Sequence, residues 1–403
     1  MSVYKIGAST VHADDPALSE QLAKAYEGKL RPLCLCSSEG VPMYIAKIEP
    51  GRFLVKRMPN TGGQHSPSCD SYEPPAELSG LGQVLGSAIV ENPDDDTATL
   101  KFAFSMSKAG KRTAPVASGV EHDSVKADGN KLTLRGTLHY LWEQAEFNRW
   151  APAMRGKRNW FVLRKFLLQH AAGKFAKGSE LSQMLYIPES FRPEAKDEIT
   201  QRRMAHMMPI AASESGARKL MLMVAEVKDF APSRYGFKMI VKHVPDFHFM
   251  LAEDLYKRVM RRFELEIGLV DAIPGSHLMV IATFGIGPTG VASVEEIALM
   301  CVNENWLPFE SMYDNMLLTA LVEQNRHFVK GMRYNLPSSS PLACAVLTDV
   351  GARPTAAYVV PPGASDEYLA ALEQLIEESD LEPWKWEPGN GAPLPSLPAR
   401  ADH

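Results

Sequence analysis

Four residues near the start of the chain have the types and spacing of a metal site. Cys34 and Cys36 form a C-x-C pair, and His65 and Cys69 form an H-x3-C pair after 28 intervening residues. Zinc prefers thiolate sulfur and imidazole nitrogen, and two close pairs satisfy its tetrahedral geometry when the chain brings them together. Four protein ligands make the predicted site structural rather than catalytic. The alternative is that the thiols are packed core residues and His65 is a surface loop residue.

The segment between the two pairs predicts a β-hairpin that would bring them together. The runs Met43–Ile48 and Arg52–Lys56 are β-prone and are separated by Glu-Pro-Gly. Residues 59–63, Pro-Asn-Thr-Gly-Gly, allow a sharp turn before His65. Because few apolar residues surround this predicted site, we expect the metal to supply much of its folding free energy.

The remaining two cysteines have a different setting. Cys301 and Cys344 lie in apolar runs and are predicted to be small buried core residues. An odd number of cysteines in a cytoplasmic chain also argues against a disulfide framework.

A second constellation suggests chemistry of another kind. Glu226 and Lys228 lie within a predicted strand, where alternation would place both side chains on one face. An acid and a lysine so placed, with an upstream acid, form the magnesium site of PD-(D/E)xK nucleases. The upstream acid is not evident here, and Glu-x-Lys is also common on exposed strands. A nuclease is therefore an alternative hypothesis.

Charge is distributed unevenly along the chain, whose net charge is −5. Residues 126–177 contain eleven Lys and Arg against three acids, which makes this stretch a candidate for contacting nucleic-acid phosphates. The alternative is an ordinary solvated helix face. The predicted phosphate contacts are Arg135, Arg149, Arg155, Lys157, Arg158, Arg164 and Lys165.

An excess of acidic residues lies near the C-terminal end of the sequence. Residues 349–403 contain ten acids against three bases, so this part is a candidate for docking a basic protein partner. Between the two, a long helix is predicted over 313–332. Arg326, Lys330 and Arg333 would form a basic strip along it that could also contact nucleic acid.

The pattern of apolar and polar residues along the chain predicts an α+β protein. Apolar spacing predicts helices over 134–145 and 160–170, strands over 220–228 and 237–243, and a helix or mixed element over 294–304. The helices of the basic stretch resemble a winged-helix module in outline. The predicted organisation is a zinc-hairpin domain (28–92), a basic helical domain (125–192), an α+β domain (195–386) and a disordered tail (387–403).

Composition narrows the class of protein. Of the 403 residues, 45% are hydrophobic and 23% are charged, which excludes global disorder and a coiled coil. No apolar run approaches the roughly 18–20 residues that cross a bilayer. The first residues have no apolar segment typical of a secretory signal. We therefore expect a cytoplasmic protein without a membrane span.

Several motifs together resemble a known bacterial family. They extend over nearly the whole chain, from about residue 32 to residue 386, and include Cys34–Cys36, Glu39–Tyr44, Val55–Pro59, His65–Cys69, Leu138–Trp142, Gly287–Ser293 and Pro361–Tyr368. The chain resembles the domain-of-unknown-function family 1173. The resemblance implies a protein of plasmids and integrative conjugative elements, and it supplies no activity and no catalytic residues.

These observations combine into one leading hypothesis and two alternatives. The leading hypothesis is a zinc-stabilised accessory protein of bacterial mobile elements that binds nucleic acid. The first alternative is a metal-dependent nuclease that uses Glu226 and Lys228. The second is a non-enzymatic protein-interaction module.

Overall fold

The computed structural model describes residues 2–94, 97–108, 129–211, 218–234, 236–351 and 353–401. The described chain is a mixed α+β structure, as the sequence predicts. Most of the polar stretch before residue 130, including the first residues of the predicted basic domain, lies outside the described residues.

The described strands of the first half of the chain are β1 Val3–Ile6, β2 Ser9–His12, β3 Leu33–Cys34, β4 Val41–Glu49, β5 Arg52–Arg57, β6 Ile89–Asn92, β7 Thr97–Leu100, β8 Ser107–Lys108, β9 Arg149–Trp150, β10 Lys174–Ala176, β11 Ser179–Glu180 and β12 Leu185–Tyr186. Those of the second half are β13 Arg218–Lys219, β14 Met221–Ser233, β15 Gly236–Val241, β16 Phe249–Leu251, β17 His277–Ile286, β18 Ala292–Val302, β19 Pro308–Phe309, β20 Phe328–Lys330, β21 Ala345–Leu347, β22 Thr355–Val359 and β23 Glu382–Trp386. The described helices are α1 Leu18–Glu27, α2 Leu81–Val84, α3 Leu134–Gln144, α4 Trp160–Ala171, α5 Leu181–Met184, α6 Lys196–Met207, α7 Glu253–Arg262, α8 Glu264–Ala272, α9 Met312–Glu323 and α10 Asp366–Glu377.

The N-terminal sheet has the order β2-β1-β3-β4-β5 and contains the predicted hairpin, β4 and β5. The turn between them passes through Gly51 at φ +79°, a conformation that glycine adopts without steric cost. Helix α1 covers one face, where Leu22 and Ala25 pack on Ile6 and Ile45. Strands β1 and β2 precede the predicted hairpin domain in sequence and pair within the same sheet.

A closed ring of five strands, which we call the barrel, forms in the second half of the chain. In chain order, its strands are β14, β15, β16, β17 and β18. The first pairs with both the second and the fourth, the second with the third, and the fourth with the fifth, all antiparallel. The third and fifth pair in parallel and close the ring. Helices α7 and α8 connect the third strand to the fourth.

The long first strand makes this closure possible. β14 spans Met221–Ser233 and pairs with β17 through its first half and with β15 through its second half. A bulge between Val227 and Asp229 separates the two halves and lets the strand bend from one side of the barrel to the other. The first half, residues 221–225, is almost fully buried, as expected for a strand covered on both faces.

Two sequence predictions about elements are wrong. Residues 294–304 do not form a helix, because most of them belong to β18, the fifth barrel strand. The predicted helix over 313–332 ends at Glu323, since the chain turns through Asn325 at φ +55° and continues into β20. A run of apolar residues suits a buried strand as well as a helix, and here sheet pairing decides between them.

The remaining sheets join segments that are distant in sequence. β9 pairs with β20 in a five-stranded sheet, and β10 pairs with β7 in a four-stranded sheet. Strands β9 and β10 belong to the predicted basic helical segment. They therefore pair with strands from the parts of the chain that follow and precede that segment. Of the predicted tail, residues 387–401 are described, and Ala401 donates its backbone N–H to the carbonyl of Asp349.

Candidate metal centre and nucleic-acid surface

Two turns position the four predicted metal ligands. Cys34 is the last residue of β3, and Cys36 follows in the turn that leads to β4. The backbone N–H of His65 donates to the carbonyl of Gly62 at 3.2 Å, and that of Cys69 donates to Ser66 at 2.8 Å. The hairpin β4–β5 returns the chain so that the second turn lies beside the first, as the sequence predicts.

The ligand atoms have the spacing of a tetrahedral site. All four lie within 4.8 Å of one another. Sγ of Cys34 is 3.7 Å from Sγ of Cys69, and Nδ1 of His65 is 3.3 Å from Sγ of Cys36 and 3.7 Å from Sγ of Cys69. Zn–S distances of about 2.3 Å at tetrahedral angles place two sulfur atoms about 3.8 Å apart. The four residues therefore lie close enough to hold one metal ion.

The surroundings of the ligands fit a thiolate-bound metal. The backbone N–H groups of Ser66 and Ser71 point at Sγ of Cys36 and of Cys69, both at 3.4 Å, and such bonds stabilise bound thiolates. Burial lowers the pKa of His65, which favours the neutral imidazole that ligates metals. Burial also raises the pKa of Cys34 to about 12, so a metal that binds here displaces a proton.

The loop after Cys69, residues 69–73, attaches the metal centre to the rest of the molecule. Tyr72 is buried, and its carbonyl accepts a hydrogen bond from Nη2 of Arg149. Glu73 forms an ion pair with Arg57 at 2.5 Å. Gly62 is needed beside it, because a Cβ there would lie 2.5 Å from Cβ of Glu73. Arg57 and Glu73 were not predicted from the sequence; their only signal is proximity to the ligands.

Five of the seven predicted phosphate contacts donate hydrogen bonds to other parts of the protein, and of these five Arg155 is still exposed. Nε of Arg135 donates to the carbonyl of Tyr334 at 2.9 Å, and Nε of Arg164 donates to that of Ile187 at 3.0 Å. Arg149, Arg155 and Arg158 also donate to backbone carbonyls. These five guanidinium groups connect loops and helix ends. The charge of an arginine in the sequence does not show whether it has this structural role or binds phosphate.

The two predicted lysines remain at the surface. Lys157 and Lys165 are exposed, the latter on α4. Phe161 on the same helix is 67% exposed, and the ammonium group of Lys165 lies 5.8 Å from the ring centre of Phe166. Trp160, at the start of α4, stacks on His243 just beyond β15, with ring centres 4.9 Å apart. The exposed basic and aromatic side chains of α4 thus begin next to the barrel.

The structure does not place Glu226 and Lys228 together. Glu226 is 4% exposed, and its Oε1 lies 2.8 Å from Nζ of Lys242 and 2.7 Å from Nδ1 of His277. Although burial alone would raise the pKa of Glu226, these two hydrogen bonds hold it below its usual value. Lys228 is exposed, because the bulge in β14 interrupts the alternation on which the prediction depends.

The barrel surface has cationic and aromatic groups of its own. Lys228 is exposed and Lys238 is half-buried, and neither ammonium group has a hydrogen bond or ion pair with another described residue. Lys238 alternates with Met239, which points into the barrel, so its ammonium group faces outward. Near the β14–β15 turn, Phe237 stacks on Tyr256 with ring centres 3.5 Å apart.

The three residues of the predicted basic strip pair with acids of the protein, and two of them are buried. Arg326 is 2% exposed and pairs with Asp349 at 2.8 Å, while Lys330 is buried 3.4 Å from Asp314. Arg333 pairs with Glu310. The acids left on the surface of the C-terminal part lie mainly on and after α10, namely Asp366, Glu367, Glu373, Glu377, Glu378, Asp380, Glu382 and Glu387.

Comparison with known proteins places the chain in a family. Within the described residues, no helix combines the length and apolar character needed to cross a membrane. Neither the curated proteins nor the solved structures include a significant match. A family model described as a protein of unknown function, DUF1173, matches residues 4–389, which is nearly the whole chain. The protein therefore belongs to the DUF1173 family, as its motifs indicate.

Proposed function

We propose that this protein binds single-stranded nucleic acid across its barrel and uses zinc to hold its N-terminal sheet. The strand order of the barrel is the observation that carries the proposal. Numbered along the chain, its strands pair in the order 1-2-3-5-4-1, with the third and fifth parallel and a helical connection between the third and fourth. This arrangement resembles the OB-fold, a Greek-key barrel on which many proteins bind oligonucleotides or oligosaccharides.

Topology alone does not establish a ligand, so side chains must support the choice. OB-folds bind single strands mainly through the second and third strands and the adjoining loops. Lys238 lies on the second strand and Lys228 at the bulge of the first, and both are available to phosphates. Exposed aromatic rings offer stacking to unpaired bases, and Phe161 on the adjacent α4 is such a ring. Sugars would not need this cationic surface, so nucleic acid is the better supported ligand.

Zinc is proposed as the bound metal because of the donor set. Three thiolates and one imidazole are soft and intermediate ligands, which favour zinc over magnesium or calcium. The metal would hold together the two turns that carry Cys34, Cys36, His65 and Cys69. Since it has no open coordination position, its role in this proposal is structural.

Strand binding can be tested by fluorescence anisotropy with a labelled single-stranded oligonucleotide and a matched duplex. We expect tighter binding to the single strand, with affinity that falls steeply as salt rises. The double variant Lys228→Gln, Lys238→Gln should bind about tenfold more weakly and lower the salt slope by about 1.4, since each phosphate contact contributes about 0.7. Binding that ignores salt, or no binding at low salt, would overturn the proposal.

The control is Lys24→Gln on α1, which removes an exposed lysine away from the barrel that pairs with Glu20. Its affinity and salt slope should equal those of the wild type. A loss in this control as large as in the barrel variant would mean that overall charge, rather than the barrel surface, governs binding.

A further inference from the structure

A cleft of about 370 Å³ that has no role in strand binding lies between the N-terminal sheet and the body. Its volume lies within the range of small-molecule sites, which often form where two parts of a protein meet. One wall comes from the hairpin, where Tyr44 and Lys56 are cross-strand partners. The opposite wall contains Asn148, Arg149 and Lys174.

Two arginines in this cleft share a single acid. Nη2 of Arg57 lies 2.5 Å from Glu73, and Nη2 of Arg149 lies 4.0 Å from the same carboxylate and donates to the carbonyl of Tyr72. Among the described residues, Nε of Arg57 has no hydrogen-bond partner although it is buried. Glu143 also lines the cleft near these groups, but burial raises its pKa to about 7 and so favours its neutral form. Two guanidinium groups therefore face the single ordinary carboxylate of Glu73, and guanidinium groups bind phosphate well.

Other groups of the cleft suit the rest of a nucleotide. Tyr4 and Tyr44 line it with aromatic rings, on which a base can stack. Asn148 is 2% exposed, and its Nδ2 donates to the carbonyl of Lys330, whereas its Oδ1 has no partner among the residues that the structure describes. An unpaired amide oxygen beside a cleft can accept a hydrogen bond from an amino group of a base after a small adjustment.

We infer that the cleft binds one nucleotide, with its phosphate at Arg57 and Arg149 and its base beside Tyr44. The nucleotide is either free or the terminal residue of a single strand, and only the second source rests on the proposed function. The loop 69–73 forms part of the wall, so the metal centre shapes this site through Tyr72 and Glu73. Bound metal is therefore needed for full nucleotide affinity.

Calorimetry of the metal-loaded protein with adenosine monophosphate tests this inference. Arg149→Gln should weaken binding about tenfold or more, because it removes charge-assisted hydrogen bonds. Tyr44→Leu should weaken binding through lost stacking, whereas Tyr44→Phe should retain it. Arg202→Gln, an exposed arginine paired with Glu189 outside the cleft, should bind as the wild type does. Unchanged metal content and circular dichroism must accompany each variant.

Specific outcomes of these titrations would contradict the inference. No binding of adenosine monophosphate at about 10 mM, or equal binding by correctly folded Arg149→Gln, would overturn the inference. Binding of inorganic phosphate with the same affinity, insensitive to Tyr44→Leu, would overturn the nucleotide assignment. An oligonucleotide with a 5′-phosphate that outcompetes its 5′-hydroxyl counterpart would identify a strand end as the source. Lys228→Gln, Lys238→Gln should not change nucleotide affinity, so failure of strand binding remains distinguishable.

Discussion

The N-terminal sheet and the barrel differ in how much apolar side-chain surface each encloses. The sheet has two small clusters, one around Ile6, Leu22 and Ile45 and one beside the metal ligands. The barrel interior belongs to a single large cluster, in which Met223, Val280 and most of their neighbours are fully buried. Hydrophobic burial is the main favourable term in folding, so the two regions must be stabilised by different means.

This contrast accounts for the position of the candidate metal ligands in the N-terminal sheet, the region with less buried apolar surface. At roughly 25 cal/mol per Å² of buried apolar surface, clusters of a few residues offset little of the entropy lost on folding. A structural zinc ion contributes on the order of 10 kcal/mol of apparent binding free energy in small domains. The barrel needs no such ion to fold, because its interior belongs to the single large apolar cluster.

The largest effect should follow from breaking the metal site. Cys36→Ser or a strong chelator should unfold residues 33–73 and leave the barrel folded, because in the proposal only the first region depends on the ion. Metal analysis should find one zinc per chain, lost in Cys36→Ser and retained in Cys301→Ala, which alters a buried thiol of the barrel. Hydrogen exchange should accelerate in the first region alone.

Tryptophan fluorescence gives an independent check on the same change. All six tryptophans lie between residues 142 and 386, outside the N-terminal sheet. Their emission should therefore stay constant on chelation while hydrogen exchange of the hairpin rises. A joint loss of both signals would mean that the two regions unfold together, and the contrast between them would fail.

Substitution of one aromatic ring in each region should have a smaller effect and should compare directly how much each apolar core contributes to stability. Phe284→Ala inside the barrel should cost about 3–5 kcal/mol, since the ring is fully buried and packs edge-on against Phe249. Phe53→Ala in the hairpin should cost less, because that ring is only half-buried against Tyr26. Denaturant titration followed by fluorescence measures the first, and hydrogen exchange of β4 and β5 measures the second. Equal costs would contradict the comparison.

Local patterns in the sequence predict the N-terminal region better than the barrel. The pair spacing, the Glu-Pro-Gly turn and the Gly-Gly turn act within a few residues, and they suffice to predict the hairpin and its four ligands. Helix α10 follows a local signal of the same kind, because the Ser365 hydroxyl accepts an N-cap hydrogen bond from the backbone N–H of Tyr368.

The barrel depends on information that local patterns lack. Whether residues 292–302 form a strand is decided by pairing with β17 and β16, and the latter is more than 40 residues earlier in the chain. The bulge that separates Glu226 from Lys228 follows from the bend of a strand shared by two sides of the barrel. Likewise, the charge of Arg135 or Lys330 gives no indication of whether its partner is water, phosphate or a buried group.

The smallest predicted effect concerns Glu143, which lines the cleft between the N-terminal sheet and the body. Burial raises its pKa to about 7 from the ordinary 4.5, while the hydroxyl of Tyr334, which donates to it at 2.5 Å, limits the rise. The folded state therefore holds a proton that the unfolded state releases between these two values. Stability from the neutral carboxyl is complete below about pH 4.5 and is lost as the pH rises through 7.

Glu143→Gln isolates this contribution, because the amide keeps the shape and the acceptor oxygen without the charge. Wild type and variant should have similar free energies of unfolding near pH 4.5. At pH 8 the variant should be more stable by about 1 kcal/mol or more, since each unit of pKa shift corresponds to about 1.4 kcal/mol. Denaturant titrations across this pH range, followed by tryptophan fluorescence, measure the difference. Parallel curves for the two proteins would show that the carboxyl is hydrated, and the junction between sheet and body would then be more open than the contacts of Tyr334 imply.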